Sequence, residues 1–277
     1  MKKQFLTLSF LGLMGLGTVY GQGFSVELNA GYGMSMASQE IGYNSTSSFN
    51  GTNWSGTDEV VKGSYGAGLN FGLNLGYMLN ENLGFGLNAS MLSGQKIEST
   101  YTYTETGYNS ESVSTFQGKM TRITPNIILS VGDGNIKPYA KLGIALGVGS
   151  KITYNDNYSN SDGDREIYAF ELDQGMAFGT YGELGVGIGI NDNIALNVSL
   201  NGYNMNWAPQ HGIITEYTVN GVDVLPQLTT SDKEVEFVDE ISYNSSNTPS
   251  EGQPDQDLKM YHPFSSLGLN IGIKYSL

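Results

Sequence analysis

Apolar residues recur at every second position through most of this chain. The first such run is Phe24, Val26, Leu28, Ala30, Tyr32, Met34 and Met36, interleaved with Ser25, Glu27, Asn29, Gly31, Gly33 and Ser35. A period of two puts one set of side chains on each face of an extended strand. The same alternation returns over 65–79, 83–91, 123–131, 138–148, 176–190, 194–200 and 267–277. The pattern predicts eight strands, the last ending at Leu277.

The connections alternate in length. Asn80-Glu81-Asn82, Asp133-Gly134-Asn135 and Asn191-Asp192-Asn193 read as tight turns, since Asn, Asp and Gly tolerate the positive φ of short hairpins. The other connections, over about 38–62, 104–114, 155–168 and 208–259, are long and polar. Short turns at one end and long loops at the other fit a transmembrane β-barrel crossed by segments of about ten residues. In such a barrel the apolar face meets lipid and the small or polar face lines the lumen. That second face is crowded with Gly, Asn and Ser, where the water-facing strands of a secreted β-sandwich would carry charge. Closure also removes the unpaired edges that lipid does not tolerate. The expected fold is all-β, an eight-stranded antiparallel up-and-down transmembrane β-barrel over residues 22–277, with one long extracellular loop at about 208–259. An even strand count puts both termini at the short-turn, periplasmic end.

The first 21 residues read differently. Lys2 and Lys3 precede an apolar run from Phe5 to Val19, and Val19 and Gly21 sit three and one residues before a cut ahead of Gln22. That is the layout of a cleaved secretory signal peptide. The run is about 15 residues, against about 20 for a spanning helix. No Cys follows it, which excludes a lipoprotein.

Composition sharpens this picture. Among 277 residues there are 38 Gly, 18 Tyr and no Cys. Only 14% are charged, and 13 Lys+Arg against 27 Asp+Glu leave a net charge of -14. The aromatic content excludes a disordered acidic tail, and the lack of Cys excludes disulfides and thiolate sites. An acidic chain lacks the basic face that nucleic acid requires, so no nucleic-acid partner is expected. Mean hydropathy is -0.22. Divided by strand parity, that value averages an apolar lipid face with a Gly- and Asn-rich lumen and acidic loops.

The signal segment, the eight alternating strands, the stretch Lys137-Pro138-Tyr139-Ala140-Lys141-Leu142-Gly143 and the ending Leu269-Asn270-Ile271-Gly272-Ile273-Lys274-Tyr275-Ser276-Leu277 together resemble the small outer-membrane β-barrel family of the OmpX, OmpW and OmpA membrane-domain type. The Tyr20-Gly21-Gln22 ending of the leader resembles Bacteroidetes-type signal ends. The resemblance implies a cell outer-membrane location in a Gram-negative bacterium. It also implies outer-membrane lipid, lipopolysaccharide and the barrel assembly machinery as partners. The family's last strand usually ends on an aromatic residue; here Leu277 is last and Tyr275 lies two before it.

Five charges fall on the inferred lumen face: Glu27, Arg122, Lys141, Glu183 and Lys274. Glu27 and Lys274 lie on the two closing strands and are expected to pair near the rim. Lys141 and Glu183 lie on adjacent strands at somewhat different heights, with Arg122 higher. They read as structural pairs in a filled barrel or as a charged gate in a narrow pore, because eight strands leave an interior about wide enough for side chains. The lumen glycines leave spare room. Tyr32, Tyr65, Tyr77, Phe85 and Tyr275 fit interfacial girdles.

The acids concentrate in the loops, and the fourth loop alone runs from Glu216 to Asp257 with ten of them. Its segment 216–225 reads as an extracellular hairpin turning at Asn220-Gly221. Asn160-Ser161-Asp162-Gly163-Asp164 hints at a calcium loop, but the first and twelfth ligand positions would fall on Tyr158 and Ala169. Two histidines, His211 and His262, with Ser265 and Ser266 beside the latter, are the only hydrolase-like candidates. The three-residue spacing from His262 to Ser265 puts them on opposite faces of a strand. No catalytic residue, cofactor or metal is expected. The expected function is a structural outer-membrane barrel with at most a narrow channel for small solutes. The alternative is surface adhesion or ligand binding through the acidic loops.

Overall fold

The computed structural model describes residues 23–132, 134–242 and 251–277. The expected signal peptide, and Asp133 of the second expected turn, lie outside them. Eight long strands carry the fold: β1 (Phe24–Ser35), β2 (Gly68–Met78), β3 (Leu83–Gly94), β4 (Tyr108–Ser130), β5 (Ile136–Asn160), β6 (Ala177–Gly189), β7 (Ile194–Trp207) and β8 (Ser266–Ser276). Each pairs antiparallel with the next, and β8 returns to β1 with Glu27 opposite Lys274 and Ser35 opposite Ser266. The ring is closed. No edge strand remains in it, so backbone donors and acceptors are satisfied around the whole circumference.

Strand parity sets the faces as the sequence predicts. Leu28, Phe71, Met91, Ile127, Leu142, Leu184, Leu200 and Ile271 are exposed outward. Asn74, Asn88, Asn126, Lys141, Glu183, Asn197 and Asn270 are buried inside. Among the described residues no helix is long and apolar enough to cross a membrane; the crossing elements here are strands.

The two Asn-x-Asn turns close by side-chain bonding rather than by positive φ. Asn80 Oδ1 accepts from Asn82 N at 2.9 Å and Leu83 N at 2.8 Å. Asn191 Oδ1 accepts from Asn193 N at 3.0 Å and Ile194 N at 2.8 Å. The second Asn of each turn then donates to the neighbouring strand, Asn82 to Ser130 O and Asn193 to Ser276 O, both at 2.9 Å. The short-turn end is thereby stitched around its rim.

The long connections differ most from expectation. They are largely strand. Gln39–Phe49 and Trp54–Gly63 form a hairpin, and Ile97–Glu105 pairs with the far half of β4 through the turn at Gly107, φ 81°. Upper β4 and upper β5 remain paired to Asn160, and Arg165–Asp173 and His211–Val219 continue the sheet. Polar, serine-rich sequence reads as loop by composition, but backbone pairing inherited from the barrel extends it as strand. The fourth connection holds the expected hairpin, with Thr218 opposite Asp223 and Asn220 and Gly221 at φ 51° and 78°. Beyond it lie one helical turn (Thr230–Lys233), capped reciprocally by Thr229 and Asp232, and the parallel pair Glu234–Val238 and Asp255–Leu258.

Candidate functional site

Two regions carry chemistry: the lumen, and the sheet that rises above it. At the short-turn end the lumen opens into a vestibule of about 830 Å³, lined among others by Ser25, Glu27, Asn74, Asn197 and Lys274. Its inner wall is an ion network. Lys141 and Glu183 are register partners on β5 and β6, at one height rather than two, and their charged atoms lie 3.0 Å apart. Lys141 Nζ also lies 3.5 Å from Glu27 Oε2. β1 and β5 are four strands apart in an eight-strand ring, so this contact spans the barrel's diameter.

That contact corrects the expected Glu27–Lys274 pair. The two residues are backbone partners, but the Glu27 carboxylate reaches inward to Lys141. Lys274 faces the vestibule instead. The reason is closure: the small lumen-facing glycines and asparagines leave opposite walls within side-chain reach.

Glu183 is further held by Tyr139, whose hydroxyl donates at 2.8 Å, and by the Tyr181 hydroxyl. Tyr181 packs on Tyr203 with ring centroids 4.8 Å apart. The Arg122 guanidinium sits 4.0 Å over the Tyr203 ring, and its Nη2 donates to Asn70 Oδ1 at 2.6 Å. Arg122 is fully buried, farther from the turn end than Lys141, as its place on β4 predicts. The five lumen charges thus divide into an ion triad, a stacked guanidinium and a vestibule lysine.

Above Arg122 the lumen is filled. Tyr65, Met120, Met205, Trp207 and Phe264 are at most 5% exposed. Phe264 packs tilted against Tyr65 and meets Trp207 edge-on, each at 5.8 Å. Phe264 precedes β8, yet a side chain at Gly118 on β4, diametrically opposite, would lie 3.0 Å from its ring. The plug therefore crosses the whole lumen. Ser64 Oγ fastens it by donating to Ser265 O at 2.6 Å.

Tyr65 is a correction. The alternation predicts it on the lipid face, in the girdle. It is buried in the plug, because β2 begins only at Gly68, whose φ of 140° breaks the parity running back to residue 65. The spare room expected from lumen glycines is likewise taken up at this end. No local signal marked Phe264 or Trp207 as plug residues, since their contacts join segments far apart in sequence.

The histidines find other work. The His262 ring packs against Tyr65 and Trp207, at 5.8 and 6.1 Å, and the Ser265 hydroxyl bonds Asn204 and the Met205 backbone. His211 Nδ1 pairs with Asp173 Oδ1 at 2.9 Å on neighbouring strands.

The raised sheet is the second region. Stepping by twos along β4 from Arg122 reaches Met120, Gly118, Phe116, Ser114 and Ser112, so the lumen face continues upward. Register carries the same face sideways. Tyr101 lies opposite Ser112, Tyr103 opposite Ser110, Tyr154 opposite Phe116, Phe170 opposite Tyr154, and Tyr217 opposite Tyr168. Phe116–Tyr154, Tyr154–Tyr168 and Tyr168–Tyr217 centroids lie 5.0, 6.0 and 5.9 Å apart. At the rim Trp54 stacks on Tyr103 at 5.4 Å. The hydrogen bond from Tyr103 to Glu105 Oε2, 2.7 Å, holds its phenol up to about 12. The 160–164 segment is a hairpin turn in which Asn160 Oδ1 accepts from Asp162 N and Asp164 N. Donation from Asn160 and Asn220 holds the Asp164 carboxyl below its ordinary range.

Solved structures of several outer-membrane proteins are similar to this chain. OprG from Pseudomonas aeruginosa is 13% identical, over 94% of this chain and 98% of that one, with a TM-score of 0.43. Neisserial surface protein A is 12% identical over 93% and 99%, with a TM-score of 0.36. Outer Membrane Protein W of E. coli is 14% identical over 94% and 100%, with a TM-score of 0.33. No curated protein matches the chain. A family model described as the outer membrane protein beta-barrel domain matches residues 24–224, which takes in seven of the eight barrel strands and most of the raised sheet. This chain is a member of the outer membrane protein beta-barrel family.

Proposed function

We propose that this protein is a non-conducting outer-membrane barrel that holds a recognition surface outside the cell. The observation that carries the reading is the plug. Tyr65, Met120, Met205, Trp207 and Phe264 fill the lumen above Arg122, and the vestibule below ends at the Glu27–Lys141–Glu183 network. A packed interior has few voids larger than a water molecule, so the described residues leave no continuous aqueous path through the barrel. The vestibule end is periplasmic in this reading, and the raised sheet is extracellular. The strands above the barrel hold far more ordered surface than closing a barrel requires, and exposed segments on a rigid scaffold are where binding is commonly found.

Planar-bilayer recording of purified, folded protein tests the first half. The expected result is no unit conductance; steady unit steps from folded barrel would overturn it. Removal of residues 212–256 tests the second half: loss of cell or surface binding is expected, and unchanged binding rejects it. Migration that depends on boiling in SDS verifies the fold in both experiments.

A further inference from the structure

We propose that the inner face of the raised sheet binds an uncharged polysaccharide, through its row of aromatic rings and the hydroxyls and carboxylates between them; this rests on the recognition reading above.

The rings are placed as a platform. Tyr101, Tyr103, Tyr154, Tyr168 and Tyr217 lie on four strands yet share one face by register. All are at least partly accessible, and Trp54 at the rim is 66% exposed. Rings this large are not left on a water-facing surface by packing need, since their burial is what stabilises a fold. They stand above the plug rather than in it, and they lie above the lipid-facing runs of the barrel strands.

The groups between the rings are those that read sugar hydroxyls. Ser112 and Ser114 donate to Asp156 Oδ1 at 2.6 and 2.5 Å, which leaves that carboxylate's other oxygen as an acceptor. The Tyr108 and Tyr158 hydroxyls lie 2.9 Å apart. Asn160, on the same face, donates its side-chain amide toward both, at 3.5 Å to Tyr108 and 3.4 Å to Tyr158. Hydroxyls and amides that both donate and accept match a ligand that does the same at every carbon. Apolar C–H faces of a pyranose match the rings.

Charge chooses within the class. Glu105, Asp156 and Glu166 lie on this face by register, and none of its named positions is lysine or arginine. A sulfated, phosphorylated or uronic-acid chain would meet like charge with no cation to offset it. A neutral glycan meets none of that cost.

The test uses the full-length protein folded in detergent micelles. Affinity electrophoresis through gels containing dextran, yeast mannan or alginate is read alongside the fluorescence of Trp54. The expected result is retardation by at least one of the neutral polymers, none by alginate, and a change in tryptophan emission on binding. Trp54→Phe should abolish the emission change and keep retardation. Tyr103→Ala and Tyr154→Ala should each weaken binding about three- to tenfold, as loss of one aromatic contact does. Tyr154→Phe retains the ring and should bind within about twofold; it also serves if an alanine variant fails to show boiling-dependent migration. Retardation by neither neutral polymer, stronger retardation by alginate, or binding unmoved by the ring variants each overturns the proposal. If cell binding is still lost on removing residues 212–256 while neutral polymers fail, the recognition reading stands and the glycan assignment falls.

Discussion

Replacing Lys141 by Met removes one cation from two buried carboxylates at once. The ion pairs lie at 3.0 Å to Glu183 and 3.5 Å to Glu27, and all three side chains are at most 7% exposed. At an effective dielectric of about 20, the shorter pair has a gross attraction of about 5 kcal/mol. Much of that is offset in the parent protein by the cost of desolvating the ammonium, which Met does not incur. What remains is an uncompensated carboxylate, for which about 3–5 kcal/mol is usual. The two acids should not suffer equally. Glu27 lines the vestibule and can take up water in place of the lysine. Glu183 keeps only the Tyr139 and Tyr181 hydroxyls. The double variant Lys141→Met, Glu183→Gln removes the stranded charge and should regain at least half of the loss. Urea unfolding in lipid vesicles, followed by the boiling-dependent gel shift, measures both. A Lys141→Met barrel within about 1 kcal/mol of the parent, or a double variant no more stable than the single, would refute the reasoning.

Other consequences are local. Phe264→Ala empties the centre of the plug and should cost about 3–5 kcal/mol in the same unfolding assay. Gly66→Ala places a Cβ 2.2 Å from the Phe264 carbonyl oxygen and should destabilise by about 1–3 kcal/mol, while Gly134→Ala, with no atom within 4 Å, should be neutral. Gly221→Val forces a β-branched residue to φ 78° in the Asn-Gly turn; loss of amide-exchange protection across 216–224, with the barrel unchanged, is the expected signature. Asp164 should titrate below an ordinary aspartate in an NMR pH series, and Asn160→Ala should raise it. Because its folded value is depressed, its contribution to holding the hairpin is complete above the ordinary aspartate range and is lost as pH falls through the folded value.

The lipid-facing strands were legible because a strand's two faces are written directly into alternate residues. From Leu28 to Ile271 the outward set could be named without a structure, and so could the buried position of Glu27, Arg122, Lys141 and Glu183. Where the alternation ran past the end of a strand it misled, as at Tyr65, whose run continues across Gly68 although the strand does not. The polar connections misled in the other direction. Their serines and asparagines are poor strand formers by composition, but they grow from strands already paired in the barrel, and each added residue only extends a ladder in place.

Periodicity and turn residues by themselves determined the number of barrel strands, their order, and which side of each faces out. Who meets whom across the lumen was decided only in three dimensions. Glu27 has Lys274 beside it on the ladder and Lys141 across from it, and the sequence contains nothing that ranks the two. Ring closure does so, because it brings walls four strands apart within reach of one lysine side chain. The plug has the same origin: Tyr65, Trp207 and Phe264 lie in separate segments, and only the closed circumference makes them neighbours.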